Sequence, residues 1–304
     1  MKNSKNLSVI VIGATGFLGM EICRQLADSK RKVKGLVRSS SDPAKVQALQ
    51  QMGVETVAGD IKDVASLNNA FKDISVVISS ASSTLSRQEG DSIETVDSTG
   101  QLNVVKAAKT AGVNQFIFIS FHPMSQECPL QTAKRTVEKH LMESKMNYTI
   151  LQPTFFMEVW LSPALGFAYP NSKATIYGEG KNKLSWISLK DVAAFSVASL
   201  DNPSAMNSVF ELGGPDAVGP LEVVKIFERH TGTQFTLEHF PLEALHAQKN
   251  AAADSLSESF AALMIAYAEG YTIDMNETLK IYPIRLTSVT DYVKQVMPLL
   301  VNQP

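Results

Sequence analysis

The chain has 304 residues, of which 44% are hydrophobic and 19% charged, and its formal net charge is −2. These values are typical of a globular protein with one large domain, or with a domain and a smaller lobe. The near-neutral charge and the lack of a basic block argue against nucleic acid or an anionic membrane surface as a partner. No apolar run approaches the ~18 residues of a membrane span.

Cysteine and histidine usage limits the chemistry further. The two cysteines, Cys23 and Cys128, cannot form a disulfide framework, and the short polar start leaves no room for a signal peptide before the first predicted strand. We therefore expect a reduced, cytoplasmic location. The five histidines are not spaced as metal ligands, so we expect no metal site.

The N-terminal segment combines a strand, a glycine turn and a helix. Residues 9–12 are all β-branched and apolar, which is typical of a strand buried on both faces in a parallel sheet. Gly13 would then allow the turn, Gly16 the approach of a diphosphate, and Gly19 close packing of the helix on the strand. An ordinary glycine-rich β–α turn is the alternative.

The first turn of this helix is expected to belong to the same site. A helix N-terminus offers free N–H groups and the positive end of the helix dipole to an anion. We therefore count Thr15, Phe17 and Leu18 among the candidate dinucleotide-binding residues, beside the three glycines.

Arg38 follows the second predicted strand, residues 32–37. NAD-selective sites place an Asp or Glu about 20 residues after the glycine turn, on the ribose hydroxyls. A guanidinium at this place, with hydroxyl groups next to it, can instead hold a 2′-phosphate through charge-assisted hydrogen bonds. We therefore predict NADP(H) rather than NAD(H) as the cofactor. A solvated surface arginine is the alternative.

Alternating strands and helices continue through the first half of the chain. Further strands are predicted at residues 54–58, 74–78, 116–119 and 148–151, and helices at 64–71, 93–111 and 132–144. This alternation predicts an α/β fold with a doubly wound parallel sheet, which we assign to residues 1–153 as an NADP-binding Rossmann domain.

Polar and small residues follow the third and fourth of these strands. The carboxyl ends of parallel strands meet at the ligand edge of such a sheet. We therefore assign Asp60 and Ile61 to the adenine side, and Ser80 and Ala81 to the ribose and diphosphate. A capping aspartate and a polar loop are the alternatives.

Residues 154–304 have a different pattern. Strands are predicted at residues 175–177, 184–189, 209–212 and 235–239, and helices at 190–200, 221–230, 251–268 and 289–300. A dense apolar cluster at the start comprises Phe155, Phe156, Met157, Trp160 and Leu161. We expect a smaller mixed α/β lobe that binds substrate and packs on the first domain, with the cluster partly core and partly pocket.

Several of these motifs resemble the NmrA-like, atypical branch of the short-chain dehydrogenase/reductase superfamily. The residues that carry the resemblance, as far as about residue 215, are Gly13-x-x-Gly16-x-x-Gly19, Arg38, Gly59-Asp60, Lys134, Glu138, Tyr148-Thr149-Ile150-Leu151-Gln152-Pro153, Asp191-Val192-Ala193 and Phe210-Glu211-Leu212-Gly213-Gly214. The resemblance implies an NAD(P)-binding Rossmann fold. It implies no single reaction, because the family contains quinone and isoflavone-type reductases beside non-catalytic dinucleotide sensors.

The superfamily's tyrosine acid is missing. Its typical members use a Tyr-x-x-x-Lys pair, in which the phenol gives a proton to the substrate carbonyl. Lys134 best fits the lysine, but Leu130 stands four residues before it, and the other choice, Lys139, would put Arg135 there. The resemblance implies that Lys134 contacts the nicotinamide ribose and relays a proton. A surface lysine paired with Glu138, at i+4, is the alternative.

Four more candidates surround the predicted nicotinamide position. Ser120 ends the fifth strand, where the tyrosine-dependent relatives keep a substrate-binding serine. His122 could donate a hydrogen bond to a carbonyl or quinone oxygen, although a lone histidine in a loop is more often structural. The resemblance places Pro153 and Phe156 beside the nicotinamide ring.

We therefore predict an NADPH-dependent oxidoreductase that transfers a hydride to a small apolar acceptor, with a quinone-like compound favoured, and that is a monomer or homodimer. Hydride transfer needs no protein nucleophile, since the cofactor carries the chemistry. The missing tyrosine supports a different hypothesis, a non-catalytic dinucleotide sensor that acts through a partner protein. An assembly factor that uses the fold as a scaffold is a third.

Overall fold

The computed structural model describes residues 7–85 and 87–296. Its strands are β1 Ser8–Ile12, β2 Lys32–Val37, β3 Glu55–Ala58, β4 Val76–Ser79, β5 Gln115–Ile119, β6 Asn147–Pro153, β7 Phe167–Ala168, β8 Lys173–Tyr177, β9 Leu184–Ser185, β10 Ser208–Leu212, β11 Ala217–Val218 and β12 Thr236–Phe240. Its α-helices are α1 Phe17–Asp28, α2 Pro43–Gln51, α3 Val64–Ala70, α4 Gln101–Thr110, α5 Pro129–Glu143, α6 Met157–Trp160, α7 Leu189–Ala198, α8 Pro220–Thr231, α9 Leu242–Asn250, α10 Ser255–Glu269, α11 Asn276–Ile281 and α12 Val289–Val296. A π-helical segment, Ile93–Gly100, leads directly into α4.

The central sheet has seven strands in the order β10-β6-β5-β4-β1-β2-β3. Each pair from β6 through β3 is parallel. The order of connection reverses beside β1, which is the switch point where such sheets bind ligands. The predicted α/β, doubly wound fold class is confirmed, and two smaller sheets, β12-β8-β7 and β11-β9, provide the mixed part of the fold.

The described residues form two compact units. The first contains the residues through Phe121 together with Pro129–Gln152 and Val192–Phe210. The second contains His122–Cys128, Pro153–Asp191 and the residues from Glu211 onward. The sequence-based division at residue 153 remains a prediction about domains. Among the described residues, no helix combines the length and apolarity that a bilayer crossing requires.

β1 lies inside the parallel sheet, between β4 and β2, and its sequence suits this buried position. The apolar residues of this strand, Val9, Ile10, Val11 and Ile12, are fully buried. A strand with neighbours on both sides and helices on both faces has no surface for water, which explains the uninterrupted apolar run.

Two predicted elements have clearly different bounds in the structure, and a third is only partly described. The strand expected at residues 184–189 ends at Ser185, and α7 begins at Leu189, because the Ser188 hydroxyl accepts the N–H of Lys190 (3.1 Å) and caps the helix. The helix expected from residue 251 begins at Ser255, where Asp254 accepts the N–H of Ser257 (2.7 Å). The helix expected at 289–300 is observed to Val296, and its remainder lies outside the described residues.

Four helices of the structure were not predicted. They are α2, α6, α9 and α11. Each is only four to nine residues long. In so few residues the 3.6-residue apolar period can hardly be told from a loop.

Candidate functional site

The carboxyl edge of the first unit holds a cleft of about 130 Å³ beside the switch point. The predicted residues that line it are Gly13, Thr15, Gly16, Arg38, Asp60, Ile61, Ser80 and Ala81. Other lining residues, which the sequence analysis did not assign, are Ile12, Leu36, Ser41, Gly59, Ser82, Asp91 and Val96. Residues from four strand ends thus meet in one cleft.

The glycine turn approaches the loop after β4 very closely. Gly13 has a φ of +82°, and a Cβ on it would lie 2.8 Å from the backbone nitrogen of Ala81. Gly16 donates its N–H to the Gly13 carbonyl (2.9 Å) and precedes α1, whose start has no side-chain cap. At Gly13 and Gly16 the turn therefore presents only backbone atoms. The start of α1, which no side chain caps, lies next to it.

The first turn of α1 supports the cleft without lining it. The Phe17 ring is 68% exposed, and Leu18 is half-buried. Gly19 is buried, and a Cβ on it would lie only 2.0 Å from the Gly13 carbonyl oxygen. Its contribution is the close packing of helix on turn that the sequence predicts.

Arg38 is not a free surface arginine, since it is engaged by an acid within the cleft. Its Nη1 lies 2.7 and 3.0 Å from the two carboxylate oxygens of Asp91, and the Nζ of Lys62 lies 2.6 Å from the same carboxylate. Burial opposes ionisation of Asp91, but the hydrogen bonds from Lys62, Arg38 and the Gln88 N–H outweigh it and hold its pKa below the ordinary value.

Asp60 borders the cleft and also holds a turn. It lines the cleft, and its carboxylate also accepts the N–H of Lys62 (2.8 Å) in a turn. Its own N–H donates to the Ser66 hydroxyl (3.0 Å) at the start of α3. The aspartate therefore fixes the loop after β3 while its side chain borders the cleft.

Lys134 is buried on α5, with only 5% of its surface exposed. Its Nζ lies 3.3 Å from Oδ1 of the fully buried Asp97 and 5.3 Å from the centre of the Phe118 ring. The other carboxylate oxygen of Asp97 accepts the N–H (2.9 Å) and the hydroxyl (2.7 Å) of Ser83. A buried ammonium is thus held by one carboxylate and one aromatic face.

The pairing considered between Lys134 and Glu138 is wrong. Glu138 accepts two hydrogen bonds from Arg135 (2.6 and 2.7 Å) and one from Gln152 (3.0 Å). Lys134 is directed into the core, where only Asp97 offers it an anion among the described residues. The i+4 spacing therefore gave the wrong partner, because the lysine belongs to the buried side of its helix.

Asp97 is the partner of Lys134 that the sequence analysis missed. It lies on the buried side of the π-helical segment with Ile93, Val96 and Gly100. The sequence signal for this pairing is an acidic residue on an otherwise apolar helical face, because a buried carboxylate needs a cation or hydrogen-bond donors.

Ser120 lies directly after β5 and is 6% exposed. Its N–H donates to the Leu151 carbonyl (2.8 Å). Its hydroxyl oxygen is buried and has no hydrogen-bond partner among the described residues. A buried hydroxyl in this state is typical of a group that awaits a ligand or a water molecule.

The second unit contains an aromatic cluster around His122. The His122 ring lies 5.0 Å from the Phe155 ring and 4.4 Å from the Tyr271 ring. The backbone N–H of His122 donates to the Pro153 carbonyl (3.1 Å). Trp160 stacks on Tyr267 at 4.9 Å. His122 is 2% exposed, so it is a buried histidine and not a solvated one.

The apolar cluster predicted after β6 divides into two groups. Phe155, Met157 and Leu161 are buried, whereas Phe156 and Trp160 remain partly exposed. Phe156 forms an isolated bridge with Ile187. Burial raises the pKa of Tyr267, on which Trp160 stacks, well above its ordinary value.

The cleft of the first unit has features that suit a dinucleotide. A Cβ at Gly13 would collide with the backbone of Ser80 and Ala81, so only glycine allows this close approach of the two loops. Arg38 and Lys62 bring two cations to the end of the cleft at β2. By contrast, the described residues include no group of three or more His, Cys, Asp or Glu side chains that could hold a metal ion.

Comparison with known proteins agrees with this geometry. The NmrA-like family matches residues 5–293. An NAD(P)H azoreductase of Xenophilus azovorans is 30% identical over 226 residues, which cover 74% of this chain and 74% of that protein. The photosystem II assembly factor Ycf39 of Synechocystis sp. is 29% identical over 248 residues, 80% of this chain and 74% of that protein.

Among solved structures, an NADPH-dependent quinone oxidoreductase of Escherichia coli, complexed with NADPH, superposes with a TM-score of 0.75. The alignment covers 95% of this chain and 99% of that one at 22% identity, and it shows a shared fold. Because the family match spans nearly the whole chain, this protein belongs to the NmrA-like family.

Proposed function

We propose that this protein is an NADPH-dependent oxidoreductase that transfers a hydride to a small apolar acceptor, with a quinone-like compound as the leading candidate. The observation that carries the proposal is the meeting of a bare glycine turn and a cationic pair in one cleft. The names of an azoreductase and a quinone oxidoreductase among the similar proteins support it.

Each part of the cleft has a proposed task. The glycine turn, with the start of α1, binds the diphosphate. Arg38 binds the 2′-phosphate, and Asp60 and Ile61 border the adenine. The loop after β4, through Ser80 and Ala81, borders the ribose and diphosphate. When bound, the reduced nicotinamide supplies the hydride.

Lys134 is the proposed contact to the nicotinamide ribose and the proposed proton relay. Its ammonium is buried beside Asp97, which keeps it in one orientation. Leu130 cannot donate a proton from the place of the usual tyrosine, so an acceptor that takes its proton from Lys134 or from water suits this chain. Ser120, His122, Pro153 and Phe156 remain predicted contacts of the nicotinamide and the acceptor.

Leu130, at the place of the usual tyrosine, also favours a second function. A dinucleotide sensor, which binds NADP(H) and acts through a partner protein, needs the cleft but no proton donor. The name of the relative from Synechocystis sp. supports instead the third hypothesis, an assembly factor that uses the fold as a scaffold. The cytoplasmic location and the monomeric or homodimeric state stay predictions beside either function.

One titration separates the two functions. We would follow binding of NADPH and of NADH by fluorescence and then add quinones, azo dyes, enals and ketones to the same sample. Tight NADPH binding with steady oxidation on addition of an acceptor supports the reductase. Tight binding without oxidation by any acceptor contradicts the reductase and favours the sensor.

Replacing Arg38 with alanine tests the cofactor assignment. We expect the dissociation constant for NADPH to rise by about 10- to 100-fold, because a hydrogen bond to a charged group contributes roughly 1.5–3 kcal/mol. NADH, which lacks the 2′-phosphate, should bind as before. Arg229→Ala, an exposed site on α8, removes the same charge as a control. Equal losses for NADPH and NADH would contradict the assignment.

A further inference from the structure

Arg38, which is proposed for the 2′-phosphate, and the neighbouring Lys62 already hold an anion of the protein itself. Asp91 lines the cleft, and its side chain is only 2% exposed. Arg38 contacts both of its carboxylate oxygens, and Lys62 contacts one of them at 2.6 Å. The N–H of Gln88 donates a further bond of 3.0 Å to the same carboxylate. Four hydrogen bonds thus fix one acid in the place where a phosphate is expected.

The segment that carries Asp91 is attached to the end of β2 at a second point. Gln88 Nε2 donates to the Ser40 carbonyl (2.6 Å), and the side chains of Gln88 and Ser40 are also hydrogen-bonded to each other. Residues 87–91 therefore reach across to the loop that follows Arg38. The sequence offers no pattern for the contact between Arg38 and Asp91, because these residues lie 53 positions apart.

We propose that Asp91 is an intramolecular competitor of the 2′-phosphate and thereby sets the cofactor preference of this protein. The inference rests on the proposed function, since it takes the cleft to be a dinucleotide site. A phosphate monoester carries up to two negative charges at neutral pH and binds arginine with two oxygens, as the carboxylate does. A 2′-phosphate that takes Arg38 Nη1 and the Lys62 ammonium has to displace the Asp91 carboxylate from them.

The competition acts on only one of the two dinucleotides. NADPH has to displace Asp91, and its observed affinity is lowered by the free energy of the contacts that are lost. NADH carries no 2′-phosphate and leaves the Asp91 contacts intact. Asp91 therefore reduces the difference in affinity between NADPH and NADH that Arg38 and Lys62 would otherwise produce. An opposite role exists in principle, in which Asp91 accepts hydrogen bonds from the ribose hydroxyls of NADH.

The variant Asp91→Asn distinguishes these roles by binding alone. Asparagine keeps an oxygen for the Gln88 N–H but removes the charge that holds the cations. We expect the dissociation constants of NADPH, measured by fluorescence, and of 2′,5′-ADP, measured by calorimetry, to fall about tenfold, which corresponds to about 1.4 kcal/mol. The constant for NADH should change less than about twofold.

Two further variants make the comparison specific. Glu89→Gln removes one negative charge from an exposed side chain two residues away and should leave all three constants unchanged. Asp91→Ser should behave as Asp91→Asn does, which guards against a defect particular to asparagine. Thermal unfolding confirms that each variant is folded before the constants are compared.

Failure of this inference differs from failure of the proposed function. If the wild type binds NADPH and Asp91→Asn binds it no more tightly, the competition is refuted while the dinucleotide site stands. If Asp91→Asn weakens only NADH, Asp91 is the ribose acceptor and the proposal is wrong. If neither the wild type nor the variants bind NADPH, NADH or 2′,5′-ADP, the proposed function fails and the inference fails with it.

Discussion

Replacement of Lys134 with methionine is expected to lower the free energy of unfolding by about 3–5 kcal/mol, because it leaves the buried Asp97 carboxylate without its cation. Asp97 is completely buried, and its Oδ1 lies 3.3 Å from the lysine Nζ. The same change should reduce NADPH oxidation by about 100-fold or more, the usual effect of losing a positioned proton donor. Denaturant unfolding and steady-state kinetics measure the two effects separately.

A double variant separates the structural role of Lys134 from its proposed chemical role. Lys134→Met combined with Asp97→Asn removes both charges and leaves an oxygen that accepts the Ser83 hydrogen bonds. We expect the free energy of unfolding to return to within about 1 kcal/mol of the wild type, because a neutral pair carries no buried charge to desolvate. Oxidation of NADPH should remain as low as in the single variant.

Wild-type oxidation of NADPH by the double variant would contradict the proposed role of Lys134. If the double variant oxidises NADPH at the wild-type rate, Lys134 only neutralises Asp97 and relays no proton. If the single variant is as stable as the wild type, the Lys134–Asp97 pair does not stabilise the fold as expected. The first result would remove Lys134 from the proposed proton relay and leave the acceptor to take its proton from water.

The parts of the fold and cleft that could be predicted have local signals. Four β-branched residues followed by spaced glycines define β1, the turn and the start of α1 within eleven residues. Arg38, Asp60 and Ala81 could be placed together because each follows a strand, and parallel strands end at one edge of the sheet. The parallel topology thus predicts that these residues, which are distant in the sequence, lie near one another at the edge of the sheet.

The contacts that were missed are those between side chains far apart in the sequence. Asp91 reaches Arg38 from a segment with no helical or strand period, so no rule of spacing points to it. Lys134 was considered with Glu138 because i+4 residues meet on a helix. Its observed partner, Asp97, comes from a different helix, and only the cost of a buried acid could have indicated it.

A methyl group on Gly19 should separate α1 from the turn below it. The Cβ of an alanine at this position would lie 2.0 Å from the Gly13 carbonyl oxygen and 2.7 Å from its carbon. Both are backbone atoms of the turn after β1, so no side chain can rotate away. We expect Gly19→Ala to lower the free energy of unfolding by about 3 kcal/mol, at the upper end of overpacking costs. The gain in helix propensity, about 1 kcal/mol, does not offset it.

The displacement should also weaken dinucleotide binding, since the moved helix takes its N–H groups away from the turn. We expect the dissociation constant of NADPH to rise about tenfold or more. Gly112→Ala is the matched control, because Gly112 follows α4 at a φ of +69° with nothing within 4 Å of an added Cβ. That variant should cost only the strain of the left-handed conformation, about 1–2 kcal/mol, and leave NADPH binding unchanged. Equal effects of the two substitutions on NADPH binding would mean that close packing of α1 on the turn is not what forms the diphosphate site.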